Sequence, residues 1–322
     1  MTTHTRMTRR AFVRSLLQQA AGVSLALHLA PGRAAAAAGA ASALPTRALG
    51  RTGHQVSLLG MGGQAVIEDP ARRAEAVAIL HRALDLGVTY LDTAPTYGRG
   101  ASESAIGEVL RSRRREVFLA SKTSDRSYDG SMRMLEDSLR RLGTDHLDLW
   151  QLHNVKTDTD LEFVFSREGA IRALEKARQR GLVRFVGISG HQDPHVLRRA
   201  IERYPFDTAL VALNAADRHG ASFIDHLLPT AVAKGLGVIG MKIPARGRLL
   251  RPDGIRTMEQ AMRYVLTLPV ATAIVGVSTM AELEEDVAIA RAFRPCSPEE
   301  MAEMERLTSH YHADALWYRH GY

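Results

Sequence analysis

The chain has very little cysteine: Cys296 is the only one among 322 residues. A single thiol cannot form an intrachain disulfide, a thiolate zinc site or an iron–sulfur cluster, so all three are excluded. Cys296 also lies far from the N-terminus, which excludes an N-terminal lipid-modified cysteine. The H-E-x-x-H pattern of zinc enzymes is absent as well, so no motif predicts a metal.

The folded part of the chain also lacks an excess of charge of either sign. The formal net charge is +7, but residues 1–43 contain five arginines and no acidic residue. The other residues contain 37 basic and 35 acidic side chains. This balance gives no electrostatic argument for nucleic acid or an anionic membrane, so we predict neither as a partner.

Residues 1–43 have the three regions of an export signal. The stretch TRRAFVR (8–14) precedes a mildly apolar region, 15–30, and then an alanine-rich run. The pair Arg9 and Arg10, followed by Phe12, resembles a twin-arginine signal. We therefore predict a signal peptide over 1–43, the twin-arginine export machinery as a partner, and a periplasmic mature protein.

The apolar region of this signal is short and polar for a membrane anchor. Gln18, Gln19 and His28 interrupt it, whereas a spanning helix needs roughly 20 predominantly apolar residues. We therefore predict no stable membrane span after the signal is cleaved.

From residue 44 onward, short apolar runs alternate with amphipathic helical patterns. In the stretch 71–87, for example, apolar residues recur at helical spacing and Gly87 marks the end. The candidate strands are VSLLGMG (56–62), VTYLD (88–92), VFLASK (117–122), LDLWQLH (147–153), VRFVGIS (183–189), TALVALN (208–214), LGVIGMK (236–242) and TAIVGVS (272–278). Strands that are apolar on both faces and alternate with helices predict a parallel sheet covered by helices.

Eight such units over about 250 residues predict an α/β fold of the closed (β/α)8 type, the TIM barrel. The barrel domain is predicted over 44–322, with a C-terminal tail that either lines the substrate pocket or packs on the exterior. An open doubly wound sheet is the alternative, but it would require G-x-G-x-x-G after its first strand. The nearest stretch, GMGGQA (60–65), lacks that spacing.

Polar residues end nearly all of these apolar runs. They are Asp92, Lys122, His153, Ser189, Asn214, Lys242 and Ser278. In a (β/α)8 barrel the catalytic groups lie at the carboxyl ends of the strands. Ionisable groups that face one mouth are costly to bury unless they pair, so this edge is the predicted active site.

Tyr97 lies in the loop that follows Asp92, where its phenol can reach the barrel mouth. A free phenol has a pKa of about 10 and is a poor acid at neutral pH. A nearby ammonium favours the phenolate, and Lys122 is the candidate, held by Asp92. His153 can hydrogen-bond a substrate carbonyl oxygen. This set suits proton transfer to a developing alkoxide while hydride arrives from a cofactor.

These residues and their surroundings resemble the aldo-keto reductase family. The resemblance spans nearly all of residues 45–290. The stretches that support it include TRALGRTGHQVSLLGMGG, LGVTYLDTAPTYGRGASESAIGEVL, SLRRLGTDHLDLWQLHNV and AIVGVSTMAELEEDV. The family's Asp, Tyr, Lys and His are present as Asp92, Tyr97, Lys122 and His153. The resemblance implies a barrel that binds a nicotinamide cofactor and interconverts an aldehyde or ketone and its alcohol.

The resemblance also implies positions for the cofactor. They are Ser189, Asn214, Met241, Lys242, Gly276, Ser278, Glu282 and Asp286. NADP(H) is the expected cofactor, NAD(H) is the alternative, and no metal is expected. Glu282 stands where many members contact the 2′-phosphate with Lys, Arg or Gln. An acidic group suits a free ribose hydroxyl better, so the choice between the two cofactors stays open.

Two other functions remain as alternatives. A nicotinamide-binding barrel without turnover is suggested because family contacts are altered, for example by Gly190 in place of Asn. A metal-dependent hydrolase or isomerase would use His153, His191 and His195. The pair Asp193-Pro194 instead predicts the start of a helix, with His195 in its first turn.

Overall fold

The computed structural model describes residues 43–320, so the predicted signal peptide lies almost wholly outside the described residues. The described part begins with an antiparallel hairpin of β1 (Thr46–Ala48) and β2 (Gln55–Ser57). The predicted strand 56–62 is therefore divided, and its second half enters the barrel. The Ser57 hydroxyl donates to the carbonyl oxygen of Leu59 at 2.6 Å, which bends the chain between the two halves.

Eight parallel strands form the closed barrel that the alternation of apolar runs and helices predicts. They are β3 (Leu59–Gly62), β4 (Tyr90–Asp92), β5 (Phe118–Thr123), β6 (Leu147–Leu152), β7 (Val183–Gly190), β8 (Thr208–Ala212), β9 (Gly237–Met241) and β10 (Thr272–Val275). The barrel closes where β10 pairs with β3, with Ala273 opposite Leu59. The prediction of a TIM barrel is confirmed.

Helices surround the barrel and follow the last strand. Within the described residues they are α1 (Arg73–Asp85), α2 (Ala101–Arg113), α3 (Tyr128–Leu142), α4 (Asp158–Val164), α5 (Ala170–Gln179), α6 (Pro194–Arg203), α7 (Phe223–His226), α8 (Leu228–Ala233), α9 (Met258–Thr267), α10 (Met280–Arg291), α11 (Pro298–Thr308) and α12 (His312–Ala315). The predicted end of the first helix is confirmed, because Gly87 follows it with φ +96°. Across residues 43–320 no helix combines the length and apolarity that a membrane span needs.

The lower half of the barrel interior is filled with apolar side chains. Tyr90, Phe118, Leu149, Leu210 and Ile239 are buried there, and the hairpin closes the amino-terminal end with Val56. The amino-terminal end is thus packed, and the cavity described below lies at the carboxyl ends of the strands, as is typical of TIM barrels.

The C-terminal tail packs onto the loops that follow β8 and β9. Tyr318 is fully buried, and its hydroxyl accepts a hydrogen bond from the Asn214 amide at 3.0 Å. Arg319 pairs with buried Asp217, and Trp317 donates to the carbonyl oxygen of Ala245 at 3.3 Å. The tail thus supports the loops that surround the cavity described next.

Candidate active site

A cavity of about 1070 Å³ opens at the carboxyl ends of the strands. This volume lies at the upper end of the range for small-molecule pockets. Its walls include Asp92, Tyr97, Lys122 and His153, so the structure brings the four predicted catalytic residues to one place.

Asp92 and Lys122 form a buried ion pair beneath the cavity. Asp92 lies opposite Ala120 on the neighbouring strand, and Lys122 follows two residues later on the same face. The lysine Nζ donates to the Asp92 carboxylate at 2.5 Å and to the carbonyl oxygen of Thr93 at 2.8 Å. Burial alone would lower the pKa of Lys122, but Asp92 and Tyr97 raise it above its ordinary value. The ammonium therefore stays charged at neutral pH.

The Tyr97 hydroxyl accepts a hydrogen bond from Lys122 at 3.2 Å. The loop that carries it is tight: the Tyr97 N–H donates to the carbonyl oxygen of Ala94, and Gly98 follows with φ +55°. A side chain at Gly98 would collide with the backbone of Glu68. This turn therefore needs glycine, and it holds the phenol over the lysine.

His153 stands beside Tyr97 at the end of β6. The two ring centroids are 5.8 Å apart and the ring planes make an angle of 84°. The backbone is held on both sides, because the N–H donates to Thr123 at 2.8 Å and the carbonyl oxygen accepts from Arg126 at 3.0 Å. Burial and then the Lys122 charge lower the pKa of His153 well below its ordinary value. The imidazole is thus neutral and can donate one hydrogen bond.

Gln151 is a member of this site that the sequence reasoning missed. It is fully buried on β6, and its Nε2 donates to the second oxygen of Asp92 at 3.3 Å. Burial raises the pKa of Asp92 above its ordinary value, and Lys122, followed by this contact with Gln151, acts in the opposite direction and favours the carboxylate. A polar residue inside the apolar run LDLWQLH was the signal that could have identified it.

Seven of the eight predicted cofactor residues line the cavity. They are Ser189, Met241, Lys242, Gly276, Ser278, Glu282 and Asp286. Asn214 does not, because its amide is used elsewhere. The Nδ2 donates to the carbonyl oxygen of Lys242 at 3.2 Å, and the Oδ1 accepts from the N–H of Ala216 at 3.0 Å. Asn214 thus supports the loop after β9 rather than reaching into the cavity.

The loop after β9 is strained. Lys242, Ala245 and Arg246 have φ values of +61°, +51° and +56°, a region that costs free energy for residues other than glycine. Asn214 holds this loop from inside and Trp317 from outside. The loop thereby presents Lys242 and Arg246 to the cavity.

The opposite part of the wall, after β10, is acidic. Thr279 caps α10, because its hydroxyl accepts from the N–H of Glu282 at 3.2 Å. The Glu282 carboxylate accepts from the N–H of Ser278 at 2.6 Å, rather than from Thr279 itself. The Glu282 carboxylate therefore uses the Ser278 N–H, the backbone donor just before α10.

Asp286 lies behind Glu282 and is 5% exposed. Among residues 43–320 no side chain or backbone group forms a hydrogen bond or ion pair with it. Burial, followed by the charges of Glu285 and Glu282, raises the pKa of Asp286 to about 7. The carboxyl group is therefore half-ionised near neutral pH.

We expect Asp286→Asn to stabilise the protein in a pH-dependent way. Because the folded-state pKa of Asp286 lies above its unfolded value, the stability it contributes is present at pH 4 and is lost as pH rises to about 7. Asparagine has no such loss. Thermal unfolding from pH 4 to pH 8 should show a Tm difference that grows to about pH 7 and then stays constant. A difference independent of pH would contradict this account.

The histidines of the metal-dependent alternative do not form a ligand set. The His191 Nδ1 faces the carbonyl oxygen of Tyr318 at 3.2 Å. The backbone N–H of His195 donates to the Asp193 carboxylate, which caps α6, so the capping prediction is confirmed. Within residues 43–320 no group of three potential metal ligands was found.

Comparisons with known proteins show which family has the same sequence features. Residues 58–256 match the model of the Aldo/keto reductase family. The chain is 28% identical over 311 residues to the uncharacterized oxidoreductase YqkF of Bacillus subtilis (strain 168), with 83% of this chain and 97% of YqkF covered. All four predicted catalytic residues lie within the residues 58–256 that match the family model.

Two solved structures are similar over most of the chain. The holo form of aldo-keto reductase AKR11C1 from Bacillus halodurans superposes with a TM-score of 0.70 at 28% identity, covering 82% of this chain and 96% of that one. An aldo-keto reductase from Klebsiella pneumoniae in complex with NADPH superposes with a TM-score of 0.69 at 25% identity, covering 81% and 94%. The likeness therefore extends from the motifs to the whole barrel.

Proposed function

Because this chain belongs to the aldo/keto reductase family, we propose that Tyr97 is the general acid and base of its carbonyl–alcohol interconversion. As a member of the family, the chain is an NAD(P)(H)-dependent oxidoreductase that reduces an aldehyde or ketone to an alcohol, or catalyses the reverse. The observation that carries the assignment of Tyr97 is the buried Lys122 ammonium, which donates to both Asp92 and the Tyr97 hydroxyl.

In the direction of reduction, each group has one task. When bound, a nicotinamide cofactor would supply hydride for the carbonyl carbon. The neutral His153 imidazole donates a hydrogen bond to the carbonyl oxygen and orients it. Tyr97 gives its proton to that oxygen as the negative charge develops, which completes the alcohol. Lys122 stabilises the phenolate that remains, and Asp92 with Gln151 keeps the ammonium in place.

The cavity has the size and the charges to hold a dinucleotide. Lys242 and Arg246, presented by the strained loop after β9, are suited to the pyrophosphate. Asp286 offers a buried carboxyl group without a protein partner in residues 43–320, and a hydrogen-bond donor of the bound nucleotide would satisfy it. Met241 is half-buried at the cavity and can pack on the nicotinamide ring.

A panel of aldehydes, ketones and alcohols, assayed with NADPH and with NADH, tests this function. We expect turnover with at least one cofactor, together with quenching of protein fluorescence or enhancement of cofactor fluorescence on binding. Tight cofactor binding with no turnover across the panel would support the alternative of a nicotinamide-binding barrel without catalysis. If the protein neither binds a cofactor nor turns over any substrate, both functions are rejected.

We expect Glu282→Arg to shift the cofactor preference towards NADPH. The change removes a carboxylate that would repel a 2′-phosphate, frees the Ser278 N–H, and places a cation there that would attract the phosphate. The ratio of the NADPH and NADH dissociation constants, measured by fluorescence titration at two salt concentrations, should move in favour of NADPH, and more at low salt.

Glu284→Arg is a matched control for that experiment. It makes the same charge change on α10, but Glu284 forms an exposed ion pair with Arg82 outside the cavity. An equal shift in both variants would indicate a general charge effect. No shift with Glu282→Arg would mean that Glu282 serves only at the start of the helix.

We further propose that residues 1–43 direct export of the folded holo-protein to the periplasm through the twin-arginine route. The support is the TRRAFVR stretch together with the topology of the barrel. The strands that close the barrel, β3 and β10, lie near the two ends of the domain, so the cavity forms only when nearly the whole chain has folded. Loading with a dinucleotide in the cytoplasm therefore requires export of a folded protein.

We expect replacement of Arg9 and Arg10 by lysine to retain the precursor in the cytoplasm. The pair is the part of the signal that the twin-arginine route recognises. Cell fractionation and immunoblotting measure the ratio of mature to precursor protein, with the single change Arg14→Lys as control. Continued export of the double variant would refute the route. Exported protein that lacks bound nucleotide would refute loading before export.

A further inference from the structure

The strand order separates the cavity into two sides. The barrel runs β3 to β10 in sequence order, so the loops after β5 and β6 lie across the mouth from those after β9 and β10. The residues assigned to the cofactor follow β7, β9 and β10. If the cofactor binds there, as the proposed function requires, the side after β5 and β6 is left for the substrate.

Two cations line this substrate side, and they differ in their partners. The Arg126 guanidinium donates to Asp160 at 3.3 Å and to the carbonyl oxygens of His153 and Asn154 at 3.0 and 2.9 Å. Its charge and its donors are therefore used within the protein. Asp160 is also engaged, because it accepts from the backbone N–H of Lys156 at 3.0 Å.

The Lys156 ammonium differs from Arg126. It belongs to the cavity wall three residues after His153. No hydrogen-bond or ion-pair partner for it is found within residues 43–320. An ammonium with three donors, on a residue that lines a ligand cavity, is suited to an anionic ligand group.

The His191 imidazole, which follows β7, is close enough to cations on both sides of the cavity to feel their charges. Burial and then the charge of Lys242 lower the pKa of His191 to about 4, and Lys156 contributes in the same direction. The Lys156 charge therefore acts on another side chain of the cavity wall. The acidic residues Glu282, Glu285 and Asp286 lie on the other side, after β10.

We propose that the substrate carries a carboxylate in addition to its reactive carbonyl, and that Lys156 binds this carboxylate. The proposal rests on the proposed function. One ammonium matches the single charge of a carboxylate better than the double charge of a phosphate ester. His153 then orients the carbonyl while Lys156, three residues further along the same loop, holds the other end of a short oxo acid.

The test compares ω-oxo acids of three to six carbons with their neutral primary amides of the same length. The wild-type holoenzyme is expected to turn over the best acid with kcat/KM about 10- to 100-fold above that of its amide, the effect of a hydrogen bond to a charged group. Lys156→Met should bring this ratio close to one, mainly through KM for the acid. Lys156→Arg should retain most of the preference, and higher salt should weaken it.

Lys234→Met is the control, because Lys234 is exposed and does not line the cavity. Equal kcat/KM for acids and amides in the wild type would overturn the proposal. Equal losses for both substrates in Lys156→Met would overturn it too. If no substrate is turned over, calorimetric binding of the acid to the cofactor-loaded protein distinguishes the cases. If the acid binds and the binding depends on Lys156, the carboxylate site is supported and the proposed turnover is rejected. If the acid does not bind, the carboxylate site is rejected.

Discussion

Tyr97→Phe is expected to lower kcat/KM for carbonyl reduction by about 10²–10⁴-fold, the usual contribution of a general acid. The change removes the only group that the mechanism uses to protonate the developing alkoxide. The ring itself stays in place, because it packs 4.7 Å from the Lys122 ammonium and edge-on to His153. The dissociation constant of the cofactor should therefore be nearly unchanged, and steady-state kinetics with a fluorescence titration measure both quantities.

Tyr204→Phe is the matched control for this loss of a hydroxyl. Tyr204 packs against Phe206 and Phe165 outside the cavity. Its variant should keep wild-type kcat/KM. Near-wild-type turnover of Tyr97→Phe would show that another group donates the proton, and the role assigned to Tyr97 would then be wrong.

Lys122→Met is expected to slow the reaction by about 10²-fold and also to move its pH profile. The ammonium favours phenolate over phenol. Without it, reduction should remain active to higher pH before it declines, and oxidation should need a higher pH to begin. The pH dependence of kcat in both directions measures this shift. An unchanged profile would count against Lys122 as the group that tunes Tyr97.

The same change is expected to destabilise the fold, which requires a control. Asp92 is 1% exposed, and the loss of its partner leaves a buried charge unpaired, at about 3–5 kcal/mol. The double variant Asp92→Asn/Lys122→Met removes both charges and should recover much of the Tm. If the altered pH profile of Lys122→Met reflects the loss of the ammonium rather than poor folding, the double variant should show the same altered profile.

The sequence alone was sufficient to predict the barrel and to predict that Asp92, Tyr97, Lys122 and His153 meet at one end of it. Apolar runs with a polar last residue predict buried parallel strands, and the ends of such strands meet at one edge of a barrel. Asp92, Lys122 and His153 could therefore be placed together without knowledge of any distance. The loop of Tyr97 follows directly from the strand of Asp92, which keeps it near the same edge.

The tertiary structure decided which of these side chains contact one another, and which residues were missed. Register between strands places Gln151 beside Asp92, although the two are 59 residues apart. The buried tail binds Asn214 and keeps it out of the cavity. Within residues 43–320 the Asp160 carboxylate pairs with Arg126, whereas no partner of the Lys156 ammonium is found. Sequence patterns report burial and local conformation, whereas these pairings depend on contacts between distant segments that exist only after the barrel has closed.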